Sequence, residues 1–223
     1  MQSRRHFQET LDAIRDEVVH MGGRVVEMVR LAVDAAITDD TGLAQRVVEM
    51  DDEVDAMERN ALEQTVLVVL KEAPVAGDLR FLITTLGVIG ELEKAADKAV
   101  KLARKVPKLA GRLPAEIKVR LKELGDMSRG ALAATIRLYT EYSATTVEEL
   151  IHADDLIDNA YRECRQLVQE MIQRDPDQIE RYLVALEALH TLEHVGDQVV
   201  AIAERMQMLH SPSPSSDSSP DAS

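Results

Sequence analysis

LGVIGELEKAADKAVKLA, residues 86–103, returns one hundred residues later as LEALHTLEHVGDQVVAIA, residues 186–203. Both stretches hold a glutamate and an aspartate one helical turn apart, Glu93 with Asp97 and Glu193 with Asp197. A second echo precedes each of them. GLAQRVVEMDDEVDAME (42–58) matches TVEELIHADDLIDNAYR (146–162), which sets Asp51 over Asp154 and Asp55 over Asp158 at an offset of 103. Two echoes in the same order indicate an internal duplication of a three-helix unit.

Punctuation residues set the helix number. Thr41-Gly42, Pro74 to Gly77, Pro107 to Pro114, Ser143 to Thr145 and Asp175-Pro176 each interrupt a helical pattern. They leave six segments, 3–39, 43–72, 77–106, 115–142, 146–173 and 177–210. Aromatics are only 3% of the chain and the helix-forming residues dominate, so no sheet is expected. The expectation is an all-α fold of two tandem three-helix bundles, six long antiparallel helices in all, with one unit at 1–108 and the other at 109–210. The Ser/Pro-rich stretch 211–223 has nothing apolar enough to anchor it and is expected to be disordered.

Composition narrows the function classes. A formal charge of −14 repels phosphate backbones and anionic lipid heads, which argues against nucleic-acid and membrane-surface roles and favours cations or basic partners. The single cysteine, Cys164, rules out an internal disulfide framework and reads as a small core residue. The N-terminus turns polar where a signal peptide needs an apolar core, and the longest apolar runs, such as VLVVL at 66–70, are too short to span a bilayer. A cytoplasmic protein is expected.

Acidic pairs at i, i+4 are common in a chain with 40 acidic residues, so their place on the helical wheel matters more than their spacing. At about 100° per residue, Leu82, Leu86, Ile89, Glu93, Asp97 and Val100 fall in one sector of roughly 80°. Tyr182, Leu186, Leu189, Glu193, Asp197 and Val200 fall in the same sector of the second copy. Asp51 aligns with Val47 and Val54, and Asp154 with Leu150 and Ile157, while Asp55 and Asp158 lie toward the edge. Lys94, Lys98 and His194 are expected to point away from the stripe. Ionised carboxylates on a packing face must be neutralised by basic partners, by protonation or by a bound cation. The stripes hold few cations, and eight protonated acids would be unusual. Paired oxygens one turn apart suit Mg²⁺, Ca²⁺, Mn²⁺ or iron.

LEHVGDQVV (192–200) resembles the E-R-I-G-D signature of the PhoU family of phosphate-uptake regulators, and ELEKAADKAV (91–100) resembles a drifted copy of it. RVVEMDDEVDAME (46–58) is similar to the family's other acidic helix, PVAGDLRFLI (74–83) to the entry into its third helix, and MGGRVVEMV (21–29) to its first helix. The resemblance runs from about residue 5 to 210. It implies tandem bundles whose E/D-x-x-x-D motifs hold metal, here Asp51 and Asp55, Glu93 and Asp97, Asp154 and Asp158, Glu193 and Asp197. The implied ions are divalent or trivalent: iron, manganese, magnesium or zinc. It also implies a non-enzymatic, cytoplasmic, often homodimeric regulator. Such a protein damps phosphate uptake and phosphate-starvation genes by mediating between a phosphate ABC transporter and a sensor histidine kinase. Two departures stand out: Lys94-Ala95-Ala96 replaces Arg-Ile-Gly in the first repeat, and His194 replaces Arg in the second.

Two other readings compete. Ferritin-like di-iron proteins use Glu-x-x-His pairs, and the chain has Glu17 with His20 and Glu187 with His190, although at non-equivalent repeat positions. A helical scaffold without metal is the other alternative. No Gly-rich phosphate loop or nucleophile constellation supports an enzyme.

Overall fold

A computed structural model describes residues 2–109, 111 and 113–211, so the tail expected to be disordered lies outside the described residues from 212 onward. The helices are α1 (Gln2–Thr38), α2 (Thr41–Glu72), α3 (Ala76–Ala103), α4 (Val106–Leu109), α5 (Ala115–Thr140), α6 (Ala144–Arg174) and α7 (Ile179–His210), with a 3₁₀ turn at Pro176–Gln178 before α7. No described helix is long and apolar enough to cross a membrane. The six expected helices are all present. The third ends earlier than its periodicity suggests, because the Lys105 N–H bonds back to the Leu102 carbonyl and tightens the last turn. The chain restarts as the single turn α4, where Pro107 lies in the first turn and its missing N–H costs nothing.

Caps explain two of the sharp starts. The Asp40 side chain accepts from the Gly42 N–H at 2.8 Å and the Leu43 N–H at 3.0 Å to open α2, and Ser143 Oγ accepts from the Thr146 N–H at 3.2 Å to open α6. The turn before α2 is also tied to the other half of the molecule. Lys118 on α5 donates to the Ile37 carbonyl and to Asp39, each at 2.7 Å.

Helices α1, α2 and α3 pack together, as do α5, α6 and α7, and the two bundles join by α1 against α5 and α3 against α7. Each joining helix therefore meets its own duplicate. One apolar core runs through both bundles, from Val18, Val47 and Leu92 to Leu132, Ile157 and Val199. A smaller core of Leu11, Ile14, Val68 and Leu82 closes one end of the first bundle.

Symmetry at the seam can be read from named contacts. A methyl on Gly22 would strike Ile136, and a methyl on Gly125 would lie 2.6 Å from Val33. Gly125 is the repeat partner of Gly22, and Ile136 of Val33, both at the offset of 103, so the α1–α5 crossing uses one contact twice. Between α3 and α7, Arg205 reaches Glu91 at 2.8 Å while Lys105 pairs with Glu187, which runs the helices antiparallel. Glu91 is buried and takes a second cation, Lys94 at 3.2 Å. Ser128 Oγ on α5 donates to the Leu192 carbonyl at 3.0 Å, fixing α5 against α7.

Glycine in a helix interior costs up to about 1 kcal/mol relative to alanine, so the crossing glycines are kept for space. Gly125→Ala pushes a methyl into a branched side chain that cannot swing clear, and a net loss of about 1–2 kcal/mol is expected from overpacking less the gain in propensity. Gly23 faces open space, and Gly23→Ala is expected to gain about 0.5–1 kcal/mol. Thermal denaturation of the two variants beside the parent protein checks the opposite signs.

Candidate metal centre

The four helices that carry acidic pairs are paired in space: α2 lies on α3 and α6 lies on α7. Buried apolar neighbours hold each pair in register, Val47, Met50 and Val54 on α2 and Leu92, Ala95, Ala96, Ala99 and Val100 on α3. The acids sit at the solvent edge of that packed face. Asp51, Asp55, Glu93, Asp154, Asp158 and Glu193 are half-buried, and Asp97 and Asp197 are exposed.

In the first repeat the four carboxylates feel one another across the helix pair. Burial raises the Asp51 carboxyl above its ordinary value, and the charges of Asp55 and Asp97 push it further. Glu93 is raised by burial and then by Asp97, Glu58, Asp55 and Asp51. Glu58 thus joins the cluster as a fifth acid that the repeat comparison had not singled out.

The second repeat keeps the four carboxylates and changes their surroundings. Burial, reinforced by Asp158 and Asp197, pushes the Asp154 carboxyl up to about 6. Glu193 is raised mainly by burial, against the opposing pull of His194. Asp154 Oδ1 and Glu193 Oε2 are shut away from solvent and accept no hydrogen bond from the protein. Unpartnered buried carboxylate oxygens are costly unless a proton or cation meets them. A methyl at Gly196 would strike Asp154 Oδ1, so the glycine gives that carboxylate its room.

His194 does not point away from the acids. Its Nδ1 lies 2.7 Å from Asp197 Oδ2 and 3.6 Å from Glu193 Oε2, and His190 Nε2 lies 3.6 Å from the same Glu193 oxygen. Positions 190, 193, 194 and 197 follow i, i+3, i+4, i+7, the spacing that stacks side chains on one helix face. One ligand atom from each of His190, Glu193 and His194 lies within 4.8 Å of the others, close enough to share an ion. Burial and the neighbouring His194 hold the His190 imidazole below its ordinary value, favouring the neutral form that ligates metal. Tyr161, the repeat equivalent of Glu58, stacks on His190 with ring centroids 5.3 Å apart.

The Glu-x-x-His pairs read as a possible di-iron constellation have other partners. Glu17 accepts hydrogen bonds from Asn60 and, at 3.1 Å, from Gln64, while Glu187 pairs with Lys105. His190 faces Glu193, three residues on, instead of Glu187, three residues before. Cys164 is buried, and burial pushes its thiol up to about 11, which keeps it protonated and out of ligand chemistry.

The PhoU domain model matches residues 18–106 and 121–206, once on each bundle. The chain belongs to the PhoU family. It is 34% identical over 201 residues to the phosphate-specific transport system accessory protein PhoU homolog of Pseudomonas putida, covering 89% of this chain and 78% of that one. To the phosphate-specific transport system accessory protein PhoU of Escherichia coli K12 it is 30% identical over 199 residues, covering 89% and 82%. The crystal structure of PhoU from Pseudomonas aeruginosa superposes with a TM-score of 0.87 at 31% identity, covering 91% of this chain and 98% of that one. The Streptococcus pneumoniae PhoU structure shares the fold, with a TM-score of 0.81 at 23% identity and coverage of 91% and 96%. Family membership gives the chain a phosphate-regulatory role in general terms.

Asp154 supplies a test by pH. Its folded value of about 6 lies above the ordinary 3.8, so its neutral form favours folding below 3.8 and that contribution is lost as pH rises through about 6. In metal-free protein, Asp154→Asn is expected to leave stability unchanged at low pH and raise it at pH 7. Chemical denaturation of both proteins at the two pH values measures the difference, and a variant less stable at pH 7 contradicts the assignment.

Proposed function

We propose that this PhoU-family chain is a metal-binding negative regulator. In this reading it is an adaptor that couples a phosphate ABC transporter to a sensor histidine kinase and holds down phosphate uptake and phosphate-starvation gene expression. What supports the metal reading is the second repeat, where Asp154 Oδ1 and Glu193 Oε2 are buried and unpartnered and one ligand atom from each of His190, Glu193 and His194 lies within 4.8 Å of the others. A cation at each cluster offsets the mutual repulsion and clamps α2 to α3 and α6 to α7. The residues that would hold it are Asp51, Asp55, Glu93 and Asp97 in the first site, and Asp154, Asp158, Glu193 and Asp197 in the second.

The donor sets suggest different ions. The first site offers oxygen alone, which suits magnesium, manganese or iron; the second adds the nitrogens of His190 and His194 and suits zinc, manganese or iron. In the first repeat Gly90 and Lys94 occupy the positions of these histidines, and Lys94 is engaged by Glu91. Docking of partners or of a second copy of the chain, as a homodimer, has a surface available in Val66, Leu70, Val75 and Ile83, large apolar side chains left in solvent.

Two linked measurements test the reading. Elemental analysis of protein purified without added metal should show bound ion, and the double variant Glu193→Ala, Asp197→Ala should lose the share held by the second site; unchanged stoichiometry would rule that site out. Deleting the gene should raise expression of a phosphate-starvation reporter in phosphate-rich medium. The parent chain should restore repression and a variant lacking all eight acids should not. A reporter indifferent to the deletion would sink the regulatory reading.

A further inference from the structure

Against a formal charge of −14, one stretch runs the other way. Residues 97–108, DKAVKLARKVPK, hold five cations. Lys98, Lys101, Arg104, Lys105 and Lys108 line an open cleft of about 410 Å³ along the end of α3 and the α4 turn, with Asp97 at its edge. Lys98 and Lys101 lie on one face of the end of α3, Arg104 and Lys105 in the break after Ala103, and Lys108 on the α4 turn.

Helix electrostatics do not account for the run. The negative end of the α3 dipole rewards one or two basic residues in its last turn, whereas these begin before that turn and continue past the break. The duplicated stretch has no such patch. Gln198, Ala201, Glu204, Arg205 and Met208 stand at the five equivalent positions, and Arg205 is engaged by Glu91.

Nor do local acids neutralise the cleft. Among the described residues, Lys105 alone of the five has a carboxylate within ion-pair distance, Glu187. Asp51 feels the Arg104 charge. Among the described residues that line the cleft, five cations stand against one acid, Asp97. An ion in the first carboxylate cluster would engage Asp51 and Asp97 and leave the cleft more positive still.

We propose that this cleft is a binding site for a short, multiply charged phosphoryl chain, an inorganic oligophosphate or the phosphate chain of a nucleotide. A single phosphate group carries about two negative charges at neutral pH, too few to match the array. A run of phosphoryl groups presents charge and acceptor oxygens along the cleft, and Arg104 adds the planar fork that suits phosphate. Among the described residues the lining has no aromatic ring to stack a base, only Val100 between the charges, which favours the inorganic chain over the nucleotide. A long nucleic acid would meet the repulsion of the rest of the surface, whereas a compact chain stays within the cleft. Binding here is independent of the regulatory reading, but its use as a report of phosphate status rests on that reading.

Isothermal titration of the full chain in chelator-treated buffer at about 0.15 M salt tests the site with tripolyphosphate, ATP, orthophosphate and sulfate. Tripolyphosphate should bind at one site per chain, with orthophosphate and sulfate at least about a hundredfold weaker. Lys101→Gln and Lys108→Gln should each weaken tripolyphosphate by about tenfold, the loss of one charge-assisted hydrogen bond. Both positions are exposed, so circular dichroism should report an intact fold. ATP weaker than tripolyphosphate assigns the inorganic chain, and equal affinity assigns the nucleotide. No binding, sulfate as tight as tripolyphosphate, or affinity indifferent to both substitutions overturns the proposal. Reporter repression in the deletion strain is a separate readout, so loss of this site and loss of the regulatory reading are told apart.

Discussion

Like charges one turn apart on adjoining helices repel, and in each half of this molecule core packing holds four of them along one edge of a helix pair. Val47, Met50 and Val54 on α2, with Leu92, Ala96 and Val100 on α3, set the distance between helices by close packing. The carboxylates at the edge of that interface take whatever spacing the core dictates. Burial first, and the neighbouring carboxylates after it, raise the proton affinity of Asp51, Glu93, Asp154 and Glu193, most plainly at Asp154. In the proposed reading, a cation at each cluster would offset this repulsion beside the apolar face.

The duplication organises everything else. Because α1 meets α5 and α3 meets α7, each half covers the apolar face its duplicate would otherwise expose, and the two bundles share one core. Crossings between equivalent helices need small residues at equivalent places, which Gly22 and Gly125 supply. Elsewhere the halves have drifted apart chemically. Glu58 corresponds to Tyr161 in the second repeat, Gly90 to His190, Lys94 to His194 and Ala96 to Gly196. The first half has an all-oxygen cluster beside a basic cleft, while the second has a mixed nitrogen and oxygen cluster with neither Glu58 nor the lysines.

Much of this was legible in the sequence because the signals were periodic and stated twice. Six helices followed from punctuation and a 3.6-residue rhythm, and the eight acids followed from matching offsets. Features that depend on which neighbour captures a side chain were not legible. His190 stands three residues from both Glu187 and Glu193, and only Lys105, arriving from the end of α3, removes Glu187 from the choice. His194 looked outward on an ideal wheel, yet the Glu193 and Asp197 carboxylates at i−1 and i+3 draw it to the acidic edge. The early end of α3 rests on a single tightened turn, below what periodicity detects. The spacing H-x-x-E-H-x-x-D was the signal that would have found the nitrogen donors.

Anomalous diffraction from crystals of the metal-loaded protein locates the bound ions. A peak is expected between α2 and α3, bounded by Asp51, Asp55, Glu93 and Asp97, and another between α6 and α7, bounded by Asp154, Asp158, Glu193 and Asp197 with His190 or His194 in contact. Density confined to other surfaces, or absent from both helix pairs at saturating metal, would contradict metal binding at these clusters.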